Sequence, residues 1–104
     1  MIRHSARALI AGCGYVGGAL AAQMSAAGHM VYGLRRTPGA VPIGVRPWLA
    51  DLARPDTLRE PPSTFDTLVY AVGAEAFNEE AYRMAYVDGL ENLLDALERV
   101  AELP

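Results

Sequence analysis

No lysine occurs anywhere in the 104 residues; all nine basic side chains are arginine. A mechanism that needs a catalytic lysine must therefore find it outside this sequence. Cysteine is almost as scarce. Cys13 is the single one, so an internal disulfide is excluded, and with only the distant His4 and His29 for company it makes no metal site. Long apolar runs are missing too, since nothing approaches the roughly twenty residues of a membrane-spanning helix. The run that follows Met1 to Arg7 is too short for the core of a signal peptide. A cytoplasmic location and no membrane contact are the expectation. Excess positive charge is also lacking: the formal net charge is −3 and the isoelectric point about 5.2, which leaves no electrostatic footprint for nucleic acid or an anionic surface.

What is present is a core-forming composition, 52% hydrophobic against 20% charged, of a size that suits one domain over residues 1–104. No internal repeat or low-complexity linker divides it. Ala8, Leu9 and Ile10 read as a buried strand, and straight after them comes Gly12-x-Gly14-x-x-Gly17. Leu20, Met24 and Ala27 then recur at helical spacing, Gly28 stands where that helix would end, and His29 to Leu34 reads as a second strand. Strand, glycine turn, helix, strand is the context in which this glycine spacing means a dinucleotide site. Gly12 serves the sharp turn, Gly14 the close approach of a pyrophosphate, and Gly17 the tight packing of helix on strand, while the helix N-terminus offers amides and a positive dipole end to phosphates.

Further along, residues 34–44 hold two prolines and two glycines besides other turn formers and read as loop. Gly44 to Ala50 reads as a third strand, with Pro47 marking it as an edge strand or limiting it to Trp48–Ala50. Pro55 to Arg59 suits a short helix. Phe65 to Gly73 is a near-continuous apolar run, the pattern of a strand in a sheet covered on both faces. Residues 79–102 form the longest predicted helix, ended by Pro104. Its core stripe comprises Leu90, Leu93, Leu94, Leu97 and Val100 or Ala101, and Tyr82 and Tyr86 extend it, which gives both tyrosines a structural role.

Four stretches in this order carry a family resemblance: Ala11-Gly-Cys-Gly-Tyr-Val-Gly17, Asp51-Leu52, Tyr70-Ala-Val-Gly-Ala74 and Tyr86-Val-Asp-Gly-Leu-Glu-Asn-Leu-Leu94. Together they resemble the N-terminal half of an extended or atypical short-chain dehydrogenase/reductase, closest to the NAD-dependent epimerase/dehydratase group. The resemblance implies an α/β fold of Rossmann type, three layers with a parallel sheet in the order 3-2-1-4, incomplete relative to the family. It implies an NAD(P)-binding portion whose cofactor contacts are Gly12, Cys13, Gly14, Tyr15, Val16, Gly17, Arg35, Arg36, Asp51, Leu52, Ala71, Val72 and Gly73.

Two departures stand out: Ala11 occupies the place of the family's first glycine, and Tyr86 that of an asparagine that supports the active site. The family's serine and Tyr-x-x-x-Lys pair would fall beyond Pro104. The expectation is thus a part of an NAD(P)-dependent oxidoreductase or epimerase/dehydratase that holds no catalytic residue and is inactive alone. Without a fifth strand, the outer edge of the fourth would be open to self-association. The other reading is a non-catalytic Rossmann nucleotide-sensing module.

Cofactor choice turns on Arg35 and Arg36, which stand where an NAD-preferring domain places a carboxylate for the ribose 2′-hydroxyl. Guanidinium groups suit a 2′-phosphate, so NADP is favoured over NAD, and the missing carboxylate argues against flavin. Simple exposed solubilising arginines are the other reading of that pair. Asp51 stays open between a contact to the adenine and a cap for residues 52–58. Cys13 is expected there for its size, with a thiol made reactive by the helix N-terminus as the competing reading, and His29 is expected to be a local feature.

Overall fold

Four parallel strands in the order β3-β2-β1-β4 make the sheet. They are β1 (Arg7–Ala11), β2 (Met30–Arg35), β3 (Val45–Leu49) and β4 (Thr67–Tyr70). Three helical elements follow or flank them, α1 (Tyr15–Ala26), α2 (Glu79–Arg83) and α3 (Gly89–Glu102), with a short 3-10 turn at Pro55–Leu58. The computed structural model describes residues 5–37, 39 and 41–102. His4, named above as a distant histidine, and Pro104, read above as a helix stop, lie outside the described residues, as do Pro38 and Ala40 of the loop after β2.

Alternation along β1 builds the two sides of the core. Leu9 and Ala11 face a cluster with Leu34, Trp48 and Ala50 from the sheet and its edge, closed by Leu58 of the 3-10 turn and by Leu93 and Ala96 of α3. Ile10 faces the other way, onto Cys13, Ala21, Val31 and Val45 under α1. Helices on both faces of a parallel sheet complete the three layers. Leu9, Ile10, Val31, Leu58 and Leu93 are fully buried, each worth about 1.5–3 kcal/mol against leaving it in water.

Loop chemistry fixes the ends. After α1, Gly28 adopts φ +96°, and its amide donates to Ser25 while that of His29 donates to Met24, at 3.0 and 3.1 Å. Those two bonds are the paired closure that a glycine just past a helix permits. His29 then accepts the Ala6 amide on Nδ1 at 2.8 Å, a structural bond that reaches 23 residues back along the chain and not one within its own turn. Pro47 sits in β3 at the sheet edge, so the strand runs through the proline instead of starting after it, with a missing amide where no ladder bond is required.

Two expectations need correction. β4 stops at Tyr70, not near Val72, because β1 turns away at Gly12 and the Ala71 amide makes the last bond, to Ala11 O at 2.8 Å. It is also half-buried along its length, not fully covered. The helix over 79–102 is not uniform either: Met84–Asp88 forms a π-helical turn. The extra residue rotates the stripe, so the buried positions become Ala85, Gly89, Leu93 and Ala96. Tyr82, Tyr86 and Leu94 turn outward, 43%, 55% and 42% exposed. Burial in the stripe therefore does not account for the two tyrosines, which lie tilted against each other with centroids 6.3 Å apart.

Between β1 and β2 the fit is tight, since a Cβ on Gly33 would lie 2.6 Å from Cys13 Sγ and 2.9 Å from its Cβ. Gly33→Ala should cost about 1–3 kcal/mol by overpacking. Part of that loss should return in the Cys13→Ala background, where the sulfur is gone. Urea denaturation of the two single variants and the double variant measures the coupling; strictly additive losses would contradict this packing.

Candidate functional site

At the carboxyl ends of the strands, the chain leaves β1 through Gly12 at φ +85°, a left-handed conformation that L side chains rarely adopt. The position is also hemmed in. A Cβ there would come within 2.7 Å of the Ala71 carbonyl oxygen and 2.9 Å of the Val72 nitrogen. On the opposite flank the amides of Gly12 and Cys13 both donate to Leu34 O at 3.2 Å. The turn is thereby clamped between the ends of β2 and β4.

Gly17 is buried against the turn itself: a Cβ would run into the Gly12 carbonyl and lie 3.2 Å from Ile10 Cγ2, so α1 seats directly on the strand it follows. Gly14 differs, because beyond its own chain neighbours no atom of the described residues lies within 4 Å of where its Cβ would be. Its freedom from a side chain opens space in the crevice without serving any contact inside the protein. From Gly14 onward, α1 begins with no side-chain cap and no acidic residue in its first turn. The amides of Tyr15, Val16 and Gly17, first in the helix, can have no intrahelical acceptor. An anion would meet donors and a positive dipole end there, with no carboxylate to compete.

The crevice is a cavity of about 440 Å³, within the roughly 300–1,000 Å³ of small-molecule sites. Of the residues named from the sequence, Gly12, Cys13, Gly14, Arg35, Arg36, Asp51, Leu52, Ala71, Val72 and Gly73 line it. Val16 and Gly17 do not; Val16 lies at 72% exposure and Gly17 works underneath. Lining residues missed from the sequence include Thr37, Ala53, Tyr70, Glu75, Ala81, Met84 and Ala85. The last three come with the α2 and π-turn segment, whose swing over the strand ends has no local sequence signal. Glu75 had one: it directly follows the Tyr70-to-Ala74 motif, in the loop beyond β4.

Several side chains take definite postures. Cys13 is buried, and that burial pushes its thiol above the ordinary range, with Arg35 pulling weakly the other way. Of the two readings of this cysteine, the packed one fits and the activated thiol does not. Arg35 is the last residue of β2, not part of the loop, and its guanidinium lies against Gly39. Arg36 pairs with Glu75. Asp51 accepts the Ala53 amide on Oδ1 at 2.9 Å, a turn-capping posture, while also lining the cavity. Thr57 ties the same loop by bonding the amide and carbonyl of Asp51, both at 2.9 Å. From α3, Asn92 Nδ2 donates to Leu52 O at 2.8 Å.

Tyr70 anchors the far wall. Its hydroxyl donates to Ala85 O at 2.6 Å, a carbonyl within the π turn, and burial together with the neighbouring Tyr86 raises its pKa. Gly89 makes room, since a Cβ there would stand 3.0 Å from the Tyr70 hydroxyl and 2.7 Å from Met84 O. Tyr70→Phe should cost about 1–2 kcal/mol by leaving the carbonyl without its donor. It should also raise hydrogen exchange in residues 84–89 selectively. Unchanged exchange there would show that the turn does not depend on Tyr70.

No family model matches the sequence, and no curated protein does. Solved structures do match. A protein provisionally assigned as an NAD-dependent epimerase/dehydratase, from Methylobacillus flagellatus, is 40% identical over 92% of this chain and 34% of its own, with a TM-score of 0.69. A provisionally assigned epimerase from Burkholderia cenocepacia is 27% identical over 88% of this chain and 32% of its own, TM-score 0.71. Uronate dehydrogenase from Agrobacterium tumefaciens, 21% identical over 89% of this chain and 36% of its own, TM-score 0.69, shares the fold. The chain spans about a third of the length of these structures.

Proposed function

We propose that this chain, an epimerase/dehydratase-like short-chain dehydrogenase/reductase by its motifs and structural matches, binds a nicotinamide dinucleotide in the crevice above Gly12–Gly17. The observation that carries the reading is the uncapped, acid-free start of α1, opening beside a glycine whose missing side chain leaves empty crevice. Tyr15, Val16 and Gly17 would hold the pyrophosphate by their amides, Asp51 and Leu52 the adenine side, and Ala71–Gly73 the nicotinamide side. Arg35 and Arg36 would take a 2′-phosphate, which makes NADP the favoured cofactor. Such a cofactor supplies hydride transfer when bound. Acid–base chemistry by a Tyr-x-x-x-Lys pair has no lysine to draw on among these 104 residues. The 104 residues by themselves are expected to be catalytically silent. The outer edge of β4, which pairs with β1 alone among the described strands, is expected to associate with a second chain.

Calorimetric titration with NADPH and NADH tests the reading. NADPH should bind about tenfold tighter or better, as a charge-assisted contact of roughly 1.5–3 kcal/mol implies. Gly14→Val should abolish binding of both by filling the crevice, without unfolding the chain, since the new side chain points into open space. Unchanged affinity in Gly14→Val would remove the site, and equal dissociation constants for the two cofactors would remove the preference.

A further inference from the structure

Among the described residues, four charged side chains line the crevice: Arg35, Arg36, Asp51 and Glu75. Asp51 is engaged with its own turn through the Ala53 amide, whereas Glu75 is engaged with Arg36. The topology makes that second pairing unusual. Arg36 stands one residue past the end of β2, and Glu75 five residues past the end of β4. These two strands are not neighbours, because β1 lies between them. Adjacent strands are about 4.8 Å apart, so β2 and β4 are separated by roughly 10 Å. The ion pair therefore spans the end of β1, passing over the crevice side of the glycine turn. Both side chains are more than half exposed, at 58% and 66%, so the pair is not locked by packing and an incoming anion can replace the carboxylate.

We propose that Glu75 is a cofactor-discriminating residue: by holding Arg36 across the crevice it competes with the ribose 2′-phosphate for that guanidinium. The inference rests on the reading of the crevice as a NADP site and adds a residue on the opposite bank to it. Its consequence is that preference for the phosphorylated cofactor depends on the arginine and on the carboxylate together. With Glu75 in place, binding a 2′-phosphate exchanges one ion pair for another. A 2′-hydroxyl has no charge to offer in that exchange.

Calorimetric titration of the full chain and of Glu75→Gln, Arg36→Ala and the double variant, each with NADPH and NADH, tests this. Glu75→Gln should tighten NADPH about two- to fivefold, the range an exposed ion pair is worth, and leave NADH within twofold. In the Arg36→Ala background, Glu75→Gln should bring no further gain. Because both side chains are exposed, matching melting curves should show that the fold is untouched. No gain in Glu75→Gln overturns the inference, as does an equal gain for NADH or a gain that persists without Arg36, since the last two would be effects of net charge. If the unaltered chain prefers NADPH and Arg36→Ala loses that preference while Glu75→Gln changes nothing, only the role of Glu75 falls. If the unaltered chain binds both cofactors equally and Arg36→Ala makes no difference, the 2′-phosphate reading falls, and the inference with it.

Discussion

Three backbone segments meet within van der Waals reach at the end of β1, and the rest of the site depends on that meeting. Gly12 is pressed between the Leu34 carbonyl, which receives its amide, and the Ala71–Val72 peptide, which leaves no room for a Cβ. Gly17 brings α1 down onto the Gly12 carbonyl. One residue type satisfies both positions, Gly12 by its positive φ and missing Cβ and Gly17 by the missing Cβ alone. Once the junction is closed, α1 has to start at the mouth of the crevice, and the ends of β2 and β4 become its banks.

The walls of that crevice are built by different means. On the β2 side the chain runs out of the strand into charged residues, Arg35 and Arg36, and the loop at Asp51–Ala53 is braced by Thr57 and by Asn92 from α3. On the β4 side the wall is apolar apart from Glu75 and hangs on one hydroxyl, Tyr70 to Ala85 O. The π turn at Met84–Asp88 leaves a carbonyl to be satisfied by a side chain, and Tyr70 supplies the donor. That places Met84 and Ala85 at the cavity and turns Tyr82 and Tyr86 away from the core.

Much of this was legible in the sequence because the residues concerned answer to local rules. The glycine spacing after an apolar run marked the β1–α1 junction and Gly28 marked the end of α1, while the sheet order 3-2-1-4 came only from the family resemblance that the four motifs carry. Pro47 announced an edge strand. The π turn was not legible: Met84 to Asp88 read as an ordinary helical segment, and the tertiary bond that the turn makes with Tyr70 has no local signal. Nor was the true end of β4, since the apolar run continues to Val72 and the strand stops only because its partner turns away at Gly12. Glu75 escaped notice because its meaning depends on Arg36, which lies 39 residues earlier and across an intervening strand. The pairing exists only in three dimensions.

The central claim is that the start of α1 is the anion-binding end of a dinucleotide crevice. Backbone amide NMR during titration with NADPH addresses it at residue resolution. The account predicts the largest shifts at Tyr15, Val16 and Gly17, accompanied by residues at the ends of β2 and β4, with the polar surface that Arg59 after the 3-10 turn forms with Asp95 and Arg99 of α3 undisturbed. Saturable shifts centred on that distant surface, with the amides of residues 15–17 unmoved, would contradict it.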